Sequence, residues 1–221
     1  GQPFTTPDGN GGISIADFND DGRLEAILLR DWELEVYRLG PEVGDAELQL
    51  LQPLKMDEPD VNYRTFFQYP WPSTYTLPGE SAPGLLMGCY SGQIYHSRNL
   101  DPKNFVFSAP KRVRCRDTLI RIGSFLVPAV ADWNGDGQPD LVLGDEDGFV
   151  YLIENSGSTT EPRWNAPEKL RVNGNVFRIT SEELDNMQGP DERIHGYTCP
   201  TLYNWTGDGL LDLILGNITG Y

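Results

Sequence analysis

Between Asp132 and Asp140 the chain reads D-W-N-G-D-G-Q-P-D, which sets Asp132, Asn134, Asp136 and Asp140 at positions 1, 3, 5 and 9 of a loop. Gly137 at position 6 permits a sharp turn, and Gln138 at position 7 offers its backbone carbonyl. Five hard oxygen donors at that spacing suit Ca²⁺. The loop is not an EF-hand, because position 12 is Leu143 rather than a bidentate Glu and Pro128 interrupts any preceding helix. The flanks, Val127 to Val130 and Leu141 to Leu143, instead predict two short strands joined by the acidic loop.

The elements that must position this loop recur along the chain. A shift of 115 residues lays Asp17, Asn19, Asp21, Arg23 and Glu25 over the donor positions, Arg23 again through its carbonyl. A forward shift of 72 lays Asn204, Thr206, Asp208, Leu210 and Asp212 over them. Fewer anionic ligands make this third copy the weakest calcium site. Phe18, Trp133 and Trp205 stand at position 2 of the three loops, which marks them as packing residues. A shift of 56 matches Leu85 to Gly88 with Leu141 to Gly144, and Gly92 to Tyr95 with Gly148 to Tyr151. In that copy Thr76, Pro78, Glu80 and Gly84 hold positions 1, 3, 5 and 9, so no metal is expected there. An independent marker keeps the period: Pro53, Pro110 and Pro167 are each 57 residues apart and follow short apolar or aromatic runs.

Each repeat therefore reads strand, acidic loop, strand, glycine turn, strand, linker, outer strand. Four strands in about 55 to 60 residues is a propeller blade, and a sandwich of unrelated strands would not keep two markers on one period. The expected fold is all-β, a single β-propeller region over 1–221 with repeats near 8–58, 70–116, 125–172 and 198–221 and an insertion at 173–197. About three and a half four-stranded blades are present, fewer than the roughly four to eight of a closed ring. Further blades from the same precursor, or from another copy, are expected to complete it. Phe4 to Pro7 resembles the outer-strand signature of Phe107 to Pro110, and a start at Gly1 rather than Met points to a processed form or a fragment.

With 221 residues, 38% hydrophobic and 11% aromatic, the chain can bury one large all-β core or two smaller ones. A net charge of -16 argues against nucleic acid or an anionic membrane as partner, since both reward clustered Lys and Arg. The three loops hold nine of the 33 acidic residues, and bound metal would offset their repulsion. No apolar run reaches the ~18 residues of a membrane span, so no membrane insertion is expected. The three cysteines, Cys89, Cys115 and Cys199, fit one disulfide plus a thiol or three free thiols. Sequons at Asn204 and Asn217 are compatible with a secreted or extracytoplasmic protein.

The segments Asp132 to Gly144 and Asp17 to Glu25 resemble the FG-GAP or VCBS type of β-propeller repeat, found in the heads of integrin alpha subunits. The resemblance extends over nearly the whole chain. It implies rim loops that bind calcium for structure, and roles in cell adhesion, carbohydrate binding or as a scaffold for polysaccharide lyases. Fold alone does not choose among these.

Two irregular stretches are candidates for function. The spacing between the third and fourth repeats is 16 residues longer than between the second and third, and insertions in a regular array tend to be functional loops. A capping box at Thr180 to Glu183 predicts a short helix over Ser181 to Met187. Beyond it, Arg193, His195 and Tyr197 could line one side of an extended segment, where a lyase would use a cation to neutralise a uronate and His or Tyr to move its proton. Any polar loop can hold these three types, so the leading reading is non-enzymatic. Tyr63 to Tyr75 holds six aromatics in thirteen residues; Tyr63, Phe66, Tyr69 and Trp71 could stack on sugar rings, or be buried between sheets. There is no G-x-S-x-G, phosphate-binding loop, H-E-x-x-H or paired-cysteine zinc pattern. The expected function is a calcium-stabilised module that binds a glycan or protein ligand, with a polysaccharide lyase as the alternative.

Overall fold

Short apolar runs bounded by glycine, proline and acidic turns have only one economical way to satisfy their backbone groups, which is to pair as antiparallel strands. The computed structural model bears this out as an all-β fold. It describes residues 12–30, 33–40, 48–58, 70–76, 80–115, 118–158, 161–180 and 196–217. The chain divides into two compact units, Gly1–Met87 with Tyr95–Arg112, and Gly88–Ile94 with Val113–Tyr221.

In the first unit, β1 (Ile13–Ala16), β2 (Glu25–Arg30), β3 (Glu33–Leu39) and β4 (Leu48–Pro53) form an antiparallel sheet in chain order. Ile15 opposes Ala26, Ile27 opposes Val36, and a bulge follows Val36. Ala26, Leu28 and Tyr37 cluster against Leu39 and Leu48. Next come β5 (Lys55–Met56), β6 (Trp71–Tyr75), β7 (Gly84–Gly88), β8 (Ile94–Ser97), β9 (Asn99–Asp101), β10 (Val106–Phe107) and β11 (Lys111–Arg112). Strands β6, β7, β8 and β11 make a second four-stranded sheet, while β5, β10 and β9 make a small one. β1 lies beside β6, the first strands of two successive sheets.

The second unit contains β12 (Arg114–Cys115), β13 (Thr118–Leu119), β14 (Val127–Ala131), β15 (Asp140–Gly144), β16 (Val150–Ile153), β17 (Glu168–Lys169), β18 (Arg171–Val172), β19 (Asn175–Val176), β20 (Cys199–Tyr203) and β21 (Asp212–Gly216). β14 to β17 form a four-stranded antiparallel sheet in chain order, β20 pairs with β21, and β14 lies beside β20. The predicted strands on both sides of the Asp132 loop are thus β14 and β15. Outer strands β11 and β17 start directly after Pro110 and Pro167, whose missing N–H groups suit a strand edge; in the first sheet Pro53 instead ends β4.

The second strand of each full sheet is apolar on both faces. Ile27, Leu85, Leu86, Met87, Leu141 and Leu143 are all fully buried, each stabilising the fold by about 1.5 to 3 kcal/mol. β21 has nearly the same sequence as β15, D-L-I-L-G against D-L-V-L-G, yet Ile214 is 43% exposed, with β20 alone pairing with its strand among the described residues.

Two turns of the second unit share one hydrogen-bond pattern. Gly92 N–H donates to Cys89 O, Ile122 N–H to Gly92 O and Leu126 N–H to Cys89 O; Gly148 N–H donates to Asp145 O, Ile179 N–H to Gly148 O and Thr198 N–H to Asp145 O. The hairpin β12–β13 likewise has its counterpart in β18–β19. Extra residues of the expected insertion therefore fall after Ile179, and 181–195, including the expected helix, lie outside the described residues. So does Phe4 to Pro7. Cys89, Cys115 and Cys199 are free thiols.

His96 on β8 is half-buried, its ring edge-on to Tyr75 with centroids 5.3 Å apart, and its Nε2 is shut off from solvent with no hydrogen-bond partner among the described residues. Burial, then the charges of Arg98 and Lys111, push its pKa down to about 4. Between pH 6.5 and 4 the unfolded state binds the extra proton, so stability present above pH 6.5 is lost as pH falls. Urea unfolding at pH 7 and pH 5 should differ by up to about 2 kcal/mol, and His96→Gln should flatten the difference. A slope equal to wild type in that variant would remove His96 as its source.

Candidate metal centre

Three loops join first to second strands: Asp17 to Glu25 between β1 and β2, Asp132 to Asp140 between β14 and β15, and Asn204 to Asp212 between β20 and β21. Each has left-handed backbone at positions 4 and 6. The φ angles are 57° and 81° at Asp20 and Gly22, 76° and 83° at Gly135 and Gly137, and 75° and 90° at Gly207 and Gly209. Two left-handed residues this close curl the backbone so that its N–H groups point inward, and glycine takes that conformation without Cβ strain.

Side chains at the odd positions cap those amides. Asp132 accepts from Gly135, Asp136 and Gly137 N–H at 2.8, 3.0 and 2.9 Å, Asn134 from Asp136 at 3.0 Å, and Asp136 from Gln138 at 2.8 Å. In the first loop Asp17 accepts from Asp21 and Gly22, Asn19 from Asp21, and Asp21 from Arg23. The third copy keeps only Asn204 with Gly207 and Asp208 with Leu210; the Thr206 hydroxyl has no such bond.

Position 9 behaves alike in all three: Glu25, Asp140 and Asp212 accept the N–H of position 2, from Phe18 at 3.1 Å, Trp133 at 3.0 Å and Trp205 at 2.7 Å. Glu25 and Asp140 are fully buried, and burial raises both carboxyl pKa values against the pull of their hydrogen bonds. Asp212 is held below its ordinary value by the Thr206 and Trp205 amides. The position-2 rings differ with context: Phe18 is buried and edge-on to Phe107, whereas Trp205 is 74% exposed.

The donor set of the Asp132 loop fits a hard divalent cation, with three carboxylates, an amide oxygen and the Gln138 carbonyl, and no basic side chain pairs with those carboxylates among the described residues. No three His, Cys, Asp or Glu side chains close on one point among the described residues. The position-1 oxygens face the amides of their own turn. In the first loop the charge is answered from within, by Arg38.

Of the other candidates, Arg193, His195, Tyr63, Phe66 and Tyr69 lie outside the described residues. Trp71 is half-buried on β6 against Gly12, where a Cβ would come within 2.7 Å of the indole. Tyr197 packs edge-on to Phe125, 5.7 Å between centroids, and Phe125 to Tyr90 at 4.6 Å. Phe125 and Tyr197 both have left-handed backbone and donate from equivalent places, Phe125 to Tyr90 O and Tyr197 to Glu146 O. Sequence reasoning missed Arg38, Asp145 and Thr198. Asp145 is buried, accepts Phe149 N–H at 2.8 Å and donates its own N–H to Thr198 Oγ1 at 3.1 Å. No family model matches the chain, and no curated protein sequence matches it.

Proposed function

We propose that the chain is an extracytoplasmic, calcium-stabilised β-propeller module of the FG-GAP or VCBS type that recognises a glycan or protein ligand. What carries the reading is the loop turn repeated three times, each closing the first two strands of a sheet and each ending on a carboxylate tied to position 2. The sheets run in chain order from strand to strand, and first strands of successive sheets lie side by side within each unit, as blades around an axis would require. Calcium would supply the positive charge that the Asp132 loop lacks, held by Asp132, Asn134, Asp136, Asp140 and the Gln138 carbonyl. Tyr197, the described member of the lyase set, spends its ring on Phe125, which favours binding over catalysis.

Chelation is expected to lower the melting temperature by roughly 5 to 10 °C, and Asp136→Ala to lower it similarly without chelator. Unchanged melting with no calcium by elemental analysis would defeat the metal reading. Release of unsaturated uronates from acidic polysaccharides, read by ultraviolet absorbance, would defeat the non-enzymatic one.

A further inference from the structure

The three full repeats answer the charge of the loop differently, and the difference sits at one structural position. In the β2–β3 register Glu25 opposes Arg38. In the β15–β16 register Leu141 opposes Ile153, which sets Glu154 opposite Asp140. The 56-residue shift that carries β8 onto β16 carries Arg98 onto Glu154. Arg38, near the end of β3, and Arg98 and Glu154, one residue past β8 and β16, therefore stand at one equivalent place in their sheets.

Both arginines reach back to position 5 of their own loop. Arg38 Nη2 lies 2.9 Å from Asp21 Oδ2 and 3.2 Å from Glu25 Oε1, bridging positions 5 and 9. Arg98 Nε donates to Glu80 Oε1, and Glu80 is the one carboxylate left at position 5 of the erased loop. At the third repeat the sign is reversed, since the register sets the exposed carboxylate of Glu154 opposite Asp140.

We propose that a guanidinium from the third strand takes the place of the divalent cation in the first two repeats, leaving the Asp132 loop as the tight metal site. This rests on the calcium reading above. Arg38 occupies the two carboxylates a cation in the first loop would need most, so metal there must displace a guanidinium or sit against its charge. The second repeat is the end point of that exchange, with the donor set gone and the ion pair kept.

Calcium titration by calorimetry, with circular dichroism to check folding, tests this on the full chain. Wild type should show a tight site that Asp136→Ala removes and Asp21→Asn leaves intact. Arg38→Gln should add a second tight site, at least about tenfold stronger than wild type at the first loop, and Asp21→Asn in that background should abolish it. Glu154→Arg, at an exposed position, should weaken the Asp132 site at least about tenfold, read independently by terbium luminescence sensitised through Trp133. Loss of a tight wild-type site in both Asp136→Ala and Asp21→Asn, or no gain in folded Arg38→Gln, overturns the exchange while keeping calcium. The absence of any site sensitive to Asp136→Ala overturns both readings.

Discussion

Gly144→Ala is expected to destabilise the protein by about 4 kcal/mol or more, with a fall in melting temperature of about 10 °C or greater. Gly144 ends β15, and a Cβ built there lies 1.9 Å from Thr198 O, 2.6 Å from its carbonyl carbon and 2.7 Å from its Oγ1. The first two are backbone atoms held by the Thr198 N–H bond to Asp145 O, so they cannot yield as a flexible side chain would. Gly88, its counterpart in β7, meets Leu126 O at 2.0 Å in the same way. Gly137→Ala supplies the control: its φ is +83°, but nothing lies within 4 Å of the added methyl, so only the left-handed strain of about 1 to 2 kcal/mol applies. Denaturant unfolding of the two variants should rank Gly144→Ala well below Gly137→Ala. Equal losses would mean that the joint at Thr198 opens without cost.

How much of this was legible follows from where the physics is local. The loops were, because their carboxylates, glycines and flanking apolar runs are set by contacts within about a dozen residues. The central strands were too, since a run such as Leu141-Val142-Leu143 makes sense only with both faces covered. The hairpin at Arg171 to Val176 carried a signal that was not used: Asn173-Gly174 takes φ values of 52° and 82°, the two left-handed residues of a tight hairpin turn. Its residues are all exposed, so no alternation of burial marked it as a strand pair. Arg38 was hidden by a slip. The loops align at a shift of 115, but the registers of β3 and β16 align Arg38 with Glu154 at 116, and only pairing reveals it. Trp205 and Phe18 show the opposite limit, in that the same loop position is buried or open according to what packs around it.

Asp140 is the second position where a large loss is expected, and it separates the metal's role from the fold's own. The carboxylate is fully buried, with Oδ2 accepting Trp133 N–H at 3.0 Å and Oδ1 accepting Asn155 N–H at 2.7 Å. It thus ties the loop to the chain leaving β16 through bonds that form without any ion. Asp140→Ala strands two amides at about 1 to 3 kcal/mol each, so a loss of about 3 to 5 kcal/mol is expected, and Asp140→Asn, which keeps one acceptor oxygen, should lose less. Asp136 accepts only the exposed Gln138 N–H in its own loop. In excess chelator, Asp136→Ala should therefore approach the stability of wild type, whereas Asp140→Ala should remain lower by nearly its full deficit. If chelator also erased the difference between Asp140→Ala and wild type, the buried carboxylate would be stabilising only through the ion. The link from loop to outer strand would then belong to calcium rather than to the hydrogen bonds.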